Sequence, residues 1–351
     1  MMSEEEQAPG WDAIDEAMAR IYGDQEPLHY ASPLPMMLGG NDPLNGISAY
    51  RSEQPSPHWH LVTYGFSDLY EKEGNDPEYS GYGFELTMRL ARQPEEDQPP
   101  AWAINMLQNM ARYVFNSGNV FNSGDHLDAN GPIMLDSDTK LTALAFITDP
   151  ELGEINTPHG KVAFVQAVGI TGDELQATQE WNTLGVLRVL AGTYPAYITD
   201  LERDSILNLP EAAQAIAEGS AREGSSTAFL YVDQLGWESS GGESDGGKLM
   251  LGAKQAAVVA KLLRARLLHG QPLSLVSGGL QVVLDTSDTP AVEQRESGVM
   301  FRLDRAGVEE LGAKLVPVAG QVSLSALPQV VIEVMQTHIK DSDGNVVRTI
   351  G

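Results

Sequence analysis

Ala111-Arg-Tyr-Val-Phe-Asn-Ser-Gly-Asn-Val-Phe-Asn-Ser-Gly-Asp-His126 carries a change of structure in a single stretch. Its first part sets apolar and aromatic residues at helical spacing. It then breaks into a Gly/Asn/Ser turn that presents Asp125 and His126. Upstream, Pro99-Pro100 marks a helix start, because proline suits the first turn and has no N–H to satisfy there. The run 101–115 follows, with Trp102, Met106, Met110, Tyr113 and Val114 on neighbouring faces, which predicts an amphipathic helix entering the turn.

Working outward, residues 11–22 predict an amphipathic helix stopped by Gly23, and 27–46 a loop with short extended pieces. Residues 58–64 and 79–90 alternate as strands do, and 141–148 and 162–168 read as two more, the latter introduced by Thr157-Pro-His-Gly160. Thr171-Gly-Asp-Glu174 resembles a capping box, so 174–190 predicts one helix ending before Gly192, with a short strand at 197–199. Composition shifts near 219–226, and Glu238-Ser-Ser-Gly-Gly-Glu-Ser-Asp-Gly-Gly247 has linker chemistry. Beyond lie a helix at 253–269, its basic residues toward the C-terminal half, and strands at 273–285, 299–303 and 330–336. A short helix follows Asp304, and Asp343-Gly344 reads as a hairpin turn. Mixed strands and scattered helices predict an α+β protein of two mixed α/β-sheet domains, at 11–221 and 226–351, with 238–247 a flexible loop inside the second.

The 351 residues suffice for two cores, and 42% hydrophobic with 20% charged residues fits a soluble globular chain. A formal charge of −27 argues against direct binding of nucleic acid or of an anionic membrane, and steers basic partners inward. The same acidity also serves simple solubility. With no cysteine, disulfides, thiolate catalysis and thiolate zinc sites are excluded. The first residues lack a secretory signal and no run reaches the length of a membrane span, so a cytoplasmic location is expected.

His58 and His60 lie two apart, so a strand points both to one face, where they could chelate a metal with help from Asp68, Asp125 or His126. The competing reading has them hydrogen-bonding loops beside a buried Trp59. A triad of Ser123, His126 and Asp125 lacks a nucleophile elbow. Gly39-Gly40 and Gly81-Tyr-Gly83 lack the context of phosphate loops. Asp341-Ser-Asp-Gly-Asn345 lacks the twelfth-position Glu of a calcium loop and reads as a turn. The rings of Tyr64-Gly-Phe-Ser-Asp-Leu-Tyr70 are read as core, since nucleobase stacking conflicts with the charge. No metal or other cofactor is expected.

The 111–126 stretch is accompanied by Leu38-Gly-Gly-Asn-Asp-Pro-Leu44, His58-Trp-His60 leading to Tyr64-Gly-Phe-Ser-Asp-Leu-Tyr70, and Gly81-Tyr-Gly-Phe-Glu-Leu-Thr87. Gln179-Glu-Trp-Asn182, Tyr197-Ile-Thr-Asp200, Leu262-Leu-Arg-Ala-Arg-Leu-Leu-His-Gly270 and Leu327-Pro-Gln-Val-Val331 follow in order. Together they resemble the Suppressor of fused family. The resemblance implies two α+β domains closing over a peptide-binding cleft, in which an extended partner peptide adds as a strand. It implies Tyr113 and Phe121 as ring walls, Asp125 as the carboxylate receiving the peptide's polar or cationic group with His126 beside it, and Val258 and Arg266 from the second domain. Animal members bind a zinc-finger transcription factor of the Gli type. This chain lacks their long disordered insert and resembles bacterial members, thought to act largely as immunity proteins against toxins. The expectation is a monomeric, non-enzymatic protein-binding module whose partner is a toxin. A regulator sequestering a transcription factor or other endogenous protein is the alternative, and a metal-dependent hydrolase built on His58, His60, Asp125 and His126 a second.

Overall fold

The computed structural model describes residues 7–32, 40, 42–241, 246–340 and 344–351. The 38–44 motif, the 238–247 stretch and the turn at 341–345 thus lie partly outside the described residues. Contacts divide the chain into two compact units, Met1–Thr178 with Thr183–Gln214, and Gln179–Asn182 with Ala215–Gly351.

The first unit begins with helix α1 (Pro9–Tyr22) and strands β1 (Leu28–Ala31), β2 (Gly46–Ser52), β3 (His58–Tyr64) and β4 (Tyr79–Ala91). Helix α2 (Ala101–Ser117) leads to β5 (His126–Asp128), β6 (Leu141–Thr148), β7 (Glu154–Thr157) and β8 (Gly160–Thr171). One eight-stranded sheet results, ordered β1-β2-β3-β4-β8-β6-β5 with β7 paired to β8. Its pairs are antiparallel except β4 with β8, which are parallel. Both faces are covered, so every residue of β3 is buried. Trp59 and Leu61 join Leu107, Ala111 and Val114 of α2 in one cluster, while Val62 and Tyr64 join Ile14 and Met18 of α1 in another. Burying a side chain such as Leu107 or Val114 contributes about 1.5–3 kcal/mol, so α2 is held by its apolar stripe more than by helix propensity.

One predicted helix, 174–190, is two: α3 (Gly172–Glu180) and α4 (Thr183–Ala191). The break falls at Trp181, whose carbonyl accepts from Ser226 N–H (2.7 Å) and whose indole N–H donates to Glu223 (2.7 Å). These bonds draw the backbone out of the helical ladder. Residues 197–199 do not form a strand. A 3-10 turn covers Pro195–Tyr197 and only Thr199 bridges to the sheet, at Leu90, because Ala196 and Tyr197 adopt positive φ. Helix α5 (Pro210–Glu223) occupies much of the segment whose composition suggested a linker.

The second unit contains β9 (Phe229–Tyr231), β10 (Leu235–Ser239), β11 (Gly247–Gly252), helix α6 (Ala253–Leu267), β12 (Leu273–Ser277), β13 (Leu280–Thr286), β14 (Ala291–Arg295) and β15 (Gly298–Leu303). Helix α7 (Arg305–Lys314), β16 (Gly320–Ser323), β17 (Val330–Met335) and the hairpin β18 (Thr337–Lys340) and β19 (Val346–Ile350) complete it. Its sheets run β10-β11-β17-β16 and β14-β15-β13-β12-β9. Val259, Leu262, Leu263 and Leu267 of α6 sit in one core with residues of both. Glu238 and Ser239 belong to β10 and Gly247 to β11, which pair with one another. The predicted single strand at 273–285 is a hairpin, since Gly278 and Gly279 both take positive φ (51° and 90°), as a tight two-residue turn demands. Asp304 caps α7 by accepting from Gly307 N–H at 2.7 Å.

Candidate protein-binding groove

The turn after α2 works as the sequence suggests. Gly118 ends the helix in the left-handed region (φ 73°), its N–H returning to the Val114 carbonyl at 2.8 Å. The chain then folds back so that Phe121 stacks on Phe146 of β6, with ring centroids 4.4 Å apart. Tyr113 lies 5.7 Å from Phe121 centroid to centroid and remains 46% exposed, while Phe121 is buried. The two predicted ring walls therefore meet, one as floor and one as rim.

Asp125 is fixed rather than free. Its Oδ2 accepts from the Asn122 N–H at 2.7 Å, and its own carbonyl accepts from Phe146 N–H at 2.9 Å. His126 shares a hydrogen bond with Thr183 Oγ1 of α4 (3.1 Å). Burial lowers its pKa, and the Asp125 charge opposes the shift only in part.

Beyond Asp125 the chain forms β5, the terminal strand of the sheet path. Leu127 pairs with Leu144 and His126 with Ala145 of β6. Asp125 O and Ala129 N also bond toward β6. Antiparallel alternation therefore turns the N–H and C=O groups of His126 and Asp128 the other way, along the sheet edge. Beside this edge lies an apolar groove of about 520 Å³ lined by α2 residues Trp102, Met106, Met110 and Tyr113, by Phe121 and Leu127, and by the segment 132–135. Leu135 is 80% exposed and Leu127 37%. The sequence reading missed the edge strand and the 132–135 wall. The apolar run Ile133-Met-Leu135 in otherwise polar surroundings was the available signal.

Val258 and Arg266 lie on α6 of the second unit. Val258 is half-buried against its core. Arg266 is buried and donates to backbone carbonyls of Pro272 (2.7 Å) and Ser225 (2.6 Å). At the end of that unit's five-stranded sheet, β9 exposes Phe229 and Tyr231.

His58 and His60 share one face of β3, the α1 face, and both are fully buried. His58 Nδ1 donates to the Ser56 carbonyl (2.7 Å), and burial holds its pKa down to about 4. His60 accepts from the Tyr22 hydroxyl (2.8 Å) and donates to Asp149 Oδ2 (3.2 Å). Asp149 also accepts from Thr87 and Arg89, and although burial alone would raise its pKa, His60 and Arg89 hold it far below the carboxylate range. Among the described residues no group of three or more His, Asp and Glu side chains is arranged to hold a metal. No helix among them is long and apolar enough to cross a membrane.

The family model for Suppressor of fused protein matches residues 40–204. Human Suppressor of fused homolog is 38% identical over 248 residues, covering 65% of this chain, and the mouse homolog is 37% identical over the same length. The chain spans about half the length of these two relatives, 50% of each. The crystal structure of Drosophila Suppressor of Fused shares the fold at TM-score 0.79 and 22% identity, over 93% of this chain and 97% of that one. A chain from the Sufu–Fu complex crystal structure matches at TM-score 0.56 and 34% identity, over 60% of this chain and 98% of that one. An α+β chain of mixed sheets, with the family's motifs in order and these matches, belongs to the Suppressor of fused family.

Proposed function

We propose that this protein is a non-enzymatic, cytoplasmic binding module that holds an extended segment of a partner protein along the edge of β5. The observation that carries this reading is the continuity of that edge with the apolar groove which Tyr113 and Phe121 enter. Strand addition takes affinity from backbone hydrogen bonds and specificity from pockets for alternate side chains, and a terminal strand beside a groove offers both. In the second unit, β9 with its outward Phe229 and Tyr231 offers another edge. A neighbour crystallised as a Sufu–Fu complex supports a protein partner. The engagement of His58 and His60 with Ser56, Tyr22 and Asp149 supports binding over hydrolysis.

The charge of −27 favours a basic partner, because opposite potentials speed encounter. A basic toxin, neutralised by this protein as its immunity factor, fits that requirement. Affinity purification from the native cytosol, wild type beside Asp125→Arg, tests the reading. A protein retained only by wild type supports the groove and names the partner as toxin or endogenous regulator. Equal retention by both baits removes Asp125 from the site, and retention of nothing specific by either counts against the module.

A further inference from the structure

Resting on the β5-edge reading, we infer that the partner segment is read by alternation. Large apolar side chains at every second position enter the α2 groove, and basic side chains lie between them.

Register fixes the faces. Leu127 stands opposite Leu144, which belongs to the cluster packed by α2, whereas His126 stands opposite Ala145 and reaches α4 through Thr183. A strand added along β5 runs about 4.8 Å beyond it and alternates in the same sense. Residues at i and i+2 of that segment therefore fall on the Leu127 side, over the groove. Those between fall on the side of His126 and Asp128.

The chemistry of the two sides differs. On the groove side Met106, Met110 and Met134 line the walls with Trp102, and the neighbouring Leu135 is 80% exposed. Unbranched thioether side chains re-pack around different guests, so this wall suits Leu, Met or Phe rather than one residue type. A volume of about 520 Å³ lies within the range of about 300–1,000 Å³ usual for ligand pockets. On the other side Asp128 is exposed, and its one bonded oxygen caps its own turn through the Asn130 N–H at 2.8 Å. His126 is half-buried and engaged by Thr183, and burial lowers its pKa, so the exposed charge that β5 offers on this side is the Asp128 carboxylate. A cationic side chain is favoured there, in keeping with the −27 of the whole chain.

The test uses defined, end-capped heptapeptides on the full protein: Ser-Lys-Leu-Lys-Leu-Lys-Ser, its Ser-for-Leu and Glu-for-Lys versions, and a block isomer that keeps the composition but groups the leucines. Affinity is read by calorimetry, and the site by the methyl resonances of Met106, Met110 and Met134. The Lys/Leu alternating peptide is expected to bind about tenfold or more tighter than the other three, shifting those methyls. Leu135→Asp, at a side chain too exposed to carry the fold, is expected to reduce that advantage, and Asp128→Lys to erase the preference for Lys over Glu. Equal binding of the Leu and Ser peptides overturns the groove while leaving the edge reading intact. Equal binding of the block isomer overturns alternation, and equal binding of the Glu peptide overturns the basic preference. If none binds up to about 1 mM, both this inference and the edge reading fall.

Discussion

Arg89 grips Asp149 through both terminal nitrogens, NH1 to Oδ2 at 2.6 Å and NH2 to Oδ1 at 3.1 Å, with neither side chain exposed. His60, Thr87 and the backbone N–H groups of Glu151 and Leu152 complete the carboxylate's shell. The pair joins β4 to the turn after β6, inside the α1 face of the sheet that carries the groove on its other side.

Asp149→Ala leaves the buried guanidinium with only the half-exposed Glu151 carboxylate, 2.7 Å from NH2, as counter-charge, and breaking a buried pair in this way typically costs about 3–5 kcal/mol. The expected result is a large fall in the urea midpoint. Replacing Arg89 and Asp149 together by leucines should recover part of that loss, because the uncompensated charge is removed with its partner. A double variant no better than Asp149→Ala would show that the surrounding polar groups need the pair.

Stability should decline as the solution is acidified from neutrality toward pH 4. Both His58 and His60 have folded-state pKa values lowered by burial from an unfolded value near 6.5. The unfolded chain therefore takes up protons first. Stability present above about pH 6.5 is lost as pH falls through the folded values, at up to about 1.4 kcal/mol per pH unit for each histidine. Buried Glu85 acts oppositely: its raised pKa relieves strain as it protonates, so the clean measurement is a difference between proteins. His58→Asn should flatten the slope of stability against pH relative to wild type, and an unchanged slope would remove His58 from the titration.

Asp125→Arg should weaken partner capture and leave the fold largely intact. The substitution inverts charge at the groove and gives up the cap on Asn122 N–H, worth about 1 kcal/mol. Asp125→Asn, which can keep the cap, separates the two effects. Its melting temperature should match wild type while its capture falls.

Arg266→Met should destabilise the second unit by about 2–4 kcal/mol, because the Ser225 and Pro272 carbonyls lose a charged donor. If Arg266 acts only through those carbonyls, the partner's affinity measured well below the melting temperature will not change. A lowered affinity at full folding would place its side chain in contact with the partner.

Much of the fold could be read from periodicity. Strand β3 and helix α2 were visible because Trp59, Leu61, Leu107 and Ala111 recur at the right intervals. What escaped depended on tertiary contacts. The composition at 219–226 marked a boundary, yet Gly219 sits inside α5, and it is glycine there because a Cβ would meet the Trp181 ring at 2.4 Å. The break between α3 and α4 follows from the same tryptophan and its partners Glu223 and Ser226. At the site, Tyr113 and Phe121 came from the family resemblance, since spacing alone does not separate a groove ring from a core ring. Strand β5 has three residues, too few for any periodic signal, and its role comes from where the sheet ends.

Residues 179–182 lie with the second unit although the chain on both sides of them lies with the first. The polypeptide therefore crosses between units at 178/179, 182/183 and 214/215, so neither body is a continuous length of sequence. During synthesis, Trp181 leaves the ribosome long before Ser226 and Lys261, the residues that bond to it and to Glu180. A nascent or proteolysed chain stopped near residue 221 therefore lacks both the Glu223 acceptor of the indole N–H and the Ser226 donor to the Trp181 carbonyl. Trp181, one of the chain's five tryptophans, thus reports by its fluorescence whether the chain has extended past Glu223 and Ser226.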